Sequence, residues 1–411
     1  MKTLFSNIKE LVQVEQNPRL RVCGKDMANM QTIRNAYLIV EDDKIAAFGS
    51  MDQLPEQSFD QEVDCSDRMI FPTFCDSHTH LVYAGSREIE YIDKIRGLSY
   101  DDIAKRGGGI LNSAKRLQEA SEQQLYDDAY QRLEQMISFG TGAVEIKSGY
   151  GMTPEAELKM LRVIRRLKET SPLTIKSTLL GAHGIPMEYR GRQEKFVDLV
   201  IEKMIPQAAD EGLADFIDVF CDAGFFTCED TERMLEAGAR YGMRPKIHAN
   251  EMACSGGIQV AVKYNALSCD HLEYTGDEEI ECLLHSETMP TVLPGAAFFL
   301  NMVHAPVRKM MDAGLPVAMA SDCNPGSSPS TNMQLILSFA CINYRMLPEE
   351  AINATTINSG YAMGVSNQLG SIAVGKLANF YITKPIPTYE FMPYSYGENK
   401  VQQVYLKGRR V

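Results

Sequence analysis

Between about residues 73 and 365 the chain repeats one texture, a short apolar run followed by a longer amphipathic stretch, and each run ends on a polar or titratable residue. The runs at 143–146, 174–180, 216–221, 244–249, 266–271 and 317–322 have the length and composition of strands. The stretch 154–169 has helical spacing instead, with Pro154 near its start and Leu158, Leu161, Ile164 and Leu167 as an inner stripe. Strand and helix in alternation are the pattern of βα units around a parallel sheet. In a (β/α)8 barrel the carboxyl ends of the strands build the active site, so the residues closing these runs fall where chemistry is expected. The expectation is an α/β fold centred on a TIM-like (β/α)8 barrel.

The ends of the chain read differently. Residues 36–40 and 45–49 are apolar runs around the polar turn Glu41-Asp42-Asp43-Lys44, a hairpin pattern. Residues 370–382 read as a second, turn-rich hairpin, and 401–411 as a last strand. Neither terminal piece is long enough to bury a good core alone. Residues 1–70 and 366–411 are therefore expected to pair into one small β-sandwich domain beside a barrel spanning 71–365. The length of 411 residues suits a roughly 250–330-residue barrel with a smaller module.

A net charge of −13, from 41 basic and 54 acidic residues, argues against nucleic acid or an anionic membrane as partner, since both reward basic patches. It leaves room for an anionic small molecule in a locally basic pocket. The first residues lack the apolar stretch of a signal peptide, and nowhere do roughly 18 apolar residues run together. The ten cysteines are scattered without a CxxC pair, which reads as reduced thiols of the cytoplasm. Cys75, Cys221 and Cys323 read as small buried apolar side chains.

Only seven histidines are present, and five lie at expected strand ends. His78 and His80 stand two apart, so on an extended segment both face the same way and both reach one ion. His183, His248, His271 and Asp322 each close a separate strand run. His285 and His304 have no such context and read as structural or surface residues. Imidazole nitrogens with one carboxylate and a position left for water suit either Zn2+ or Fe2+. Such an ion lowers the pKa of its water and polarises a carbonyl, which suits hydrolysis of an amide-like bond.

Several longer runs carry a resemblance. They are Asp76-Ser77-His78-Thr79-His80-Leu81-Val82-Tyr83-Ala84-Gly85-Ser86-Arg87, Arg106-Gly107-Gly108-Gly109-Ile110 and Glu145-Ile146-Lys147-Ser148-Gly149-Tyr150-Gly151, followed by Gly181-Ala182-His183, His248-Ala249-Asn250-Glu251, Asp270-His271-Leu272 and Ser321-Asp322-Cys323-Asn324-Pro325-Gly326-Ser327. Over essentially its whole length the chain resembles the amidohydrolase superfamily and, more closely, the imidazolonepropionase family. The resemblance implies opening of the ring of 4-imidazolone-5-propanoate by water to give N-formimidoyl-L-glutamate, a step of histidine degradation. It implies one Zn2+ or Fe ion per subunit held by His78, His80, His248 and Asp322. It also implies substrate contacts from Arg87, Tyr150 and His183, with Asn324, Gly326 and Ser327 lining the same pocket, and a homodimer. Asn379 departs from the superfamily, which usually has Asp there.

The residues read on their own agree with that assignment. A buried carboxylate wants a planar guanidinium or several donors, which Arg87, Tyr150 and Ser327 offer. Glu251, three residues after His248, is placed to take a proton from water, and Asp322 qualifies for the same role. His271 would hydrogen-bond the developing oxyanion or the nucleophile. Gly107-Gly108-Gly109 lacks the GK[ST] of a phosphate loop and reads as a loop closing near the substrate. Three competitors share part of this pattern: a nucleobase deaminase of the same superfamily, a dinuclear hydrolase bridged by a carbamylated Lys147 or Lys176, and a non-catalytic relative that kept only the fold.

Overall fold

The computed structural model describes residues 1–98 and 109–411. The expected loop at Gly107-Gly108-Gly109 lies mostly outside these residues; only Gly109 is described, at φ 86°, where the helix Ile110–Glu119 begins.

Five strands open the chain: β1 (Lys2–Val12), β2 (Thr32–Glu41), β3 (Lys44–Ser50), β4 (Gln61–Asp64) and β5 (Met69–Pro72). Eight more form the barrel: β6 (Phe74–Thr79), β7 (Thr141–Lys147), β8 (Thr174–Ala182), β9 (Phe216–Cys221), β10 (Arg244–Ala249), β11 (Ser268–His271), β12 (Met289–Val292) and β13 (Ala318–Met319). Each pairs in parallel with its sequence neighbour from β6 round to β13. The ring closes through the residues after β13: Thr79 bridges Cys323, the Asp322 amide donates to the His78 carbonyl at 3.0 Å, and the His80 amide donates to the Cys323 carbonyl at 3.0 Å. The barrel seam therefore joins the HxH segment directly to the segment of Asp322.

Helices cover the strands as their spacing dictates. In Pro154–Thr170 the Thr153 hydroxyl caps the Ala156 amide, Pro154 starts the first turn, and Leu158, Leu161, Ile164 and Leu167 are buried. Among the described residues no helix is long and apolar enough to cross a membrane. Cys75, Cys221 and Cys323 are buried free thiols, and burial pushes the Cys221 thiol up to about 12.

The second module joins β1–β5 to β14 (Phe380–Thr383), β15 (Val401–Leu406) and β16 (Arg409–Arg410) in one sheet, mostly antiparallel, in the order β16-β15-β14-β5-β1-β2-β3 with β4 alongside β1. The sheet curls on itself, because its far ends share one core: Ile45 of β3 and Tyr405 of β15 pack with Phe5, Ile8, Leu38, Ile70 and Phe380. The Ala378 amide donates to the Asp43 carbonyl at 2.8 Å, and this bond draws the two ends together. The two terminal pieces bury one interior that neither holds alone.

Two local readings change. Residues 370–382 contain one strand, β14, and the residues before it run as turns onto β3, so the hairpin partner of β14 is β15. The strand β12, Met-Pro-Thr-Val, was not expected, because a proline inside four residues masks the pattern.

Candidate active site

β6 ends on His78 and Thr79, with His80 directly after, and all three are buried. Each imidazole uses Nδ1 on the protein. His78 Nδ1 lies 2.7 Å from Asp270 Oδ2, and His80 Nδ1 lies 3.3 Å from the Ser148 carbonyl. Bonding at Nδ1 fixes the tautomer and leaves the lone pair of Nε2 free for a cation. Those two Nε2 atoms lie 3.6 and 3.8 Å from Asp322 Oδ1. His248 comes in from β10, its ring 4.5 Å from that of His78. Its Nδ1 lies 3.0 Å from Asp218 Oδ2.

Donor atoms of His78, His80 and Asp322 lie within 4.8 Å of one another, as do those of His78, His248 and His271 and those of His80, His183 and His248. Nε2 of His78 and Nε2 of His248 are buried without a hydrogen-bond partner. Burial first, then the neighbouring imidazoles and Lys147, holds His78, His80 and His271 well below the ordinary histidine value, and His183 falls to about 3. Bare, buried imidazole nitrogens beside a carboxylate fit a cation. These residues match a metal site.

Below this cluster lies a layer of charge that sequence reading did not anticipate. Lys147 Nζ bonds Glu145 at 2.6 Å and Asp218 at 2.8 Å and lies 3.6 Å from Asp270. Lys246 bonds Glu145 and the Ser77 carbonyl. All five side chains are fully buried. Asp218 and Asp270 are the carboxylates facing His248 and His78, so Lys147 holds two imidazole supports at once. Burial opposes the charge on Lys147, yet Asp218, Glu145 and Asp270 together keep it above the ordinary lysine value. Lys176, the other lysine considered as a bridge, pairs with Asp215 at 3.2 Å. Neither lysine lines the cavity. The signal was present in the sequence as charged residues at alternate positions inside otherwise apolar strands, Glu145 with Lys147 and Lys246 with His248.

A cavity of about 370 Å³ opens over the imidazoles, and its lining includes His80, Arg87, Tyr150, His183, His248, Glu251, His271, Asp322, Asn324, Gly326 and Ser327. His78 sits beneath them. The expected site residues are thus brought together. A larger hollow of about 470 Å³ lies beside Tyr83, Asp128 and Arg132 but holds none of the imidazoles. Lys94, Ile110, Phe220, Phe225, Met252 and Leu300 complete the active cavity and had not been singled out.

Several backbones are bent to serve it. His271, Leu272 and Asp322 hold φ of 86°, 75° and 53°, a region non-glycine residues seldom adopt, and such strain gathers at functional sites. The loop carrying Tyr150 is pinned by Glu157, which accepts the amides of Gly149, Gly151 and Met152 at 2.9, 2.6 and 2.9 Å. Asn324 donates to the Ser327 hydroxyl at 2.6 Å, and that hydroxyl donates to Asp322 Oδ2 at 3.0 Å. Asn324 and Ser327 therefore steer Asp322 as well as lining the cavity. Asp222 accepts the amides of Glu251 and Met252 at 2.7 and 2.9 Å, fixing the turn that presents Glu251.

Burial, with Asp322 and Asp222 adding to it, pushes the Glu251 carboxyl up to about 8, and burial pushes Asp322 up to about 6. The two histidines set aside lie elsewhere: His285 is exposed and bonds Glu281 at 2.9 Å, and His304 packs on Tyr344.

This geometry meets a clear set of relatives. Residues 69–411 match the profile of the amidohydrolase family, and the chain belongs to that family. It is 52% identical over 411 residues to the imidazolonepropionase of Christiangramia forsetii and 52% identical over 409 residues to that of Flavobacterium johnsoniae, covering all of both chains in each case. Within the amidohydrolases, the chain is a member of the imidazolonepropionase family. Among solved structures it is similar to a triazine hydrolase variant (TM-score 0.76, 15% identity, all of this chain and 94% of that one). It is also similar to a mutant atrazine chlorohydrolase of Arthrobacter aurescens TC1 complexed with zinc and atraton (TM-score 0.71, 14% identity, 99% and 94% covered). At such identities the likeness is one of fold.

Proposed function

We propose that the chain hydrolyses the ring amide of 4-imidazolone-5-propanoate to N-formimidoyl-L-glutamate. The observation that carries this reading is one cavity that opens over the clustered imidazoles and Asp322 and is lined by a guanidinium, Arg87, suited to a carboxylate. A zinc or iron ion suits that donor set and, when bound, supplies an acidified water and a polarised ring carbonyl.

The protein's own groups do the rest. Arg87 and Tyr150 hold the propanoate end, and His183, stacked 4.8 Å from His80, lies against the ring. Glu251 takes the proton released as water adds to the ring carbonyl and returns it to the departing ring nitrogen. Asp322 is the other carboxylate able to hold that proton. His271 Nε2 donates toward the oxygen on which negative charge develops. Phe220, Phe225 and Leu300 exclude bulk water and strengthen each of these contacts.

A nucleobase deaminase would use the same imidazoles and Glu251 but would give no anion to the edge of Arg87 that Glu90 leaves free. The test is ring opening of the imidazolone propanoate, followed by loss of ultraviolet absorbance, with and without a chelator. Chelator-sensitive consumption with formation of formimidoylglutamate supports the proposal. Equal turnover of a cyclic amide lacking the propanoate would contradict it.

A further inference from the structure

The helix Glu88–Ile95 borders the cavity with its polarity reversed. Ile89, Ile92 and Ile95 are 66%, 41% and 68% exposed, while Arg87 and Lys94 line the cavity. Arg87, Glu90 and Lys94 stand at spacings of three and four, so they share one face of that helix. A soluble helix normally turns its apolar stripe inward, and a buried charged face calls for a functional reason.

The charges on that face do not balance. Nε and Nη2 of Arg87 both bond Oε2 of Glu90, the first at 2.8 Å. The two side chains are nearly buried, so the pair is a neutral unit. What remains for an incoming carboxylate is the second N–H of Nη2 and both N–H groups of Nη1. Nη1 lies against Gly326, where a Cβ would come within 2.3 Å of it. Lys94 has no hydrogen bond or ion pair among the described residues, although it is half-buried beside Arg87. Burial first, and then Arg87, lowers its pKa, with Glu90 opposing. An ammonium so placed is short of an anion.

We propose that Lys94 supplies the net positive charge that receives the substrate's carboxylate, while Glu90 anchors Arg87 as a directional donor. The proposal rests on the ring-opening reading above and assigns the specificity of that site to a third residue. Arg87 gives geometry through Nη1, and Lys94 gives the unbalanced charge.

The experiment compares the propanoate substrate with its neutral propanamide analogue in the wild-type holoenzyme, Lys94→Met and Lys94→Arg. Wild type should prefer the propanoate. Lys94→Met should lose about 10- to 100-fold of that preference, the size expected for a charge-assisted contact, with the loss falling on KM. Lys94→Arg should restore most of it. An unchanged preference in Lys94→Met, or equal losses on both substrates, overturns the role of Lys94 while the ring-opening reading stands. If wild type opens neither ring, the ring-opening reading falls and this proposal with it.

Discussion

Nε2 of His271 lies 3.5 Å from Oε2 of Glu251, and both side chains stand over the converging imidazoles. This places an acid–base carboxylate and a donor for a developing oxyanion side by side, from two different strand ends. Replacing Glu251 by Gln keeps the shape and removes the proton acceptor. The variant should retain its metal and lose roughly 10²- to 10⁴-fold in kcat, the usual worth of a general base. Steady-state rates and metal content check this together, and a near-wild-type rate would move the role to Asp322.

The same carboxyls make the ion-free protein sensitive to pH. Glu251 at about 8 and Asp322 at about 6 lie above their ordinary values of 4.5 and 3.8. Between those limits the folded chain keeps protons that the unfolded chain has released. Their contribution to stability is therefore complete at low pH and is lost as pH rises through about 6 and then about 8. Thermal unfolding of the chelated protein should show Glu251→Gln gaining on wild type from about pH 5 to pH 9. A difference, variant minus wild type, that stays flat or falls with rising pH would contradict the assignment.

Asp270 touches no substrate, yet it bonds His78 Nδ1 at 2.7 Å and accepts the Ser268 hydroxyl at 2.6 Å. Asp270→Asn should weaken metal affinity by about 10- to 100-fold, as loss of a support behind a ligand does. Competition titration against a chromophoric chelator reads this directly without reference to turnover. Unchanged affinity would show that the ring holds its orientation without the carboxylate.

Arg87→Ala should raise KM strongly with a smaller change in kcat, since the guanidinium serves binding. Gly326→Ala should do the same in milder form, because its Cβ would displace Nη1. Steady-state kinetics of both variants test the pairing. An unchanged KM in Arg87→Ala would remove that residue from the carboxylate site.

Much of this was legible in the sequence because barrel geometry turns strand-end position into spatial position. His78, His183, His248, His271 and Asp322 are separated by up to 244 residues in the chain, yet each ends or follows a strand of one ring. Arg87 was legible for its chemistry but not for its partner. Glu90 lies only three residues away, and the sequence does not say whether it pairs with Arg87 or with solvent. Lys94 was missed because a lysine on a short helix ordinarily faces water, and here the helix turns its isoleucines outward instead. Asp218, Asp270 and Lys147 were hidden for a related reason. A charged residue in a strand acquires meaning only when its neighbours across the barrel are known. The short strand β12 was lost to its proline.

The central claim is a single-ion site that opens the imidazolone ring, and metal reconstitution tests it most directly. Protein stripped by chelator is titrated with zinc or ferrous ion while ring opening and bound metal are measured together. Activity should return in proportion to occupancy and level off at one ion per chain, with His248→Ala failing to recover either. Activity that needs two ions per chain, or that survives complete removal of metal, would contradict the account.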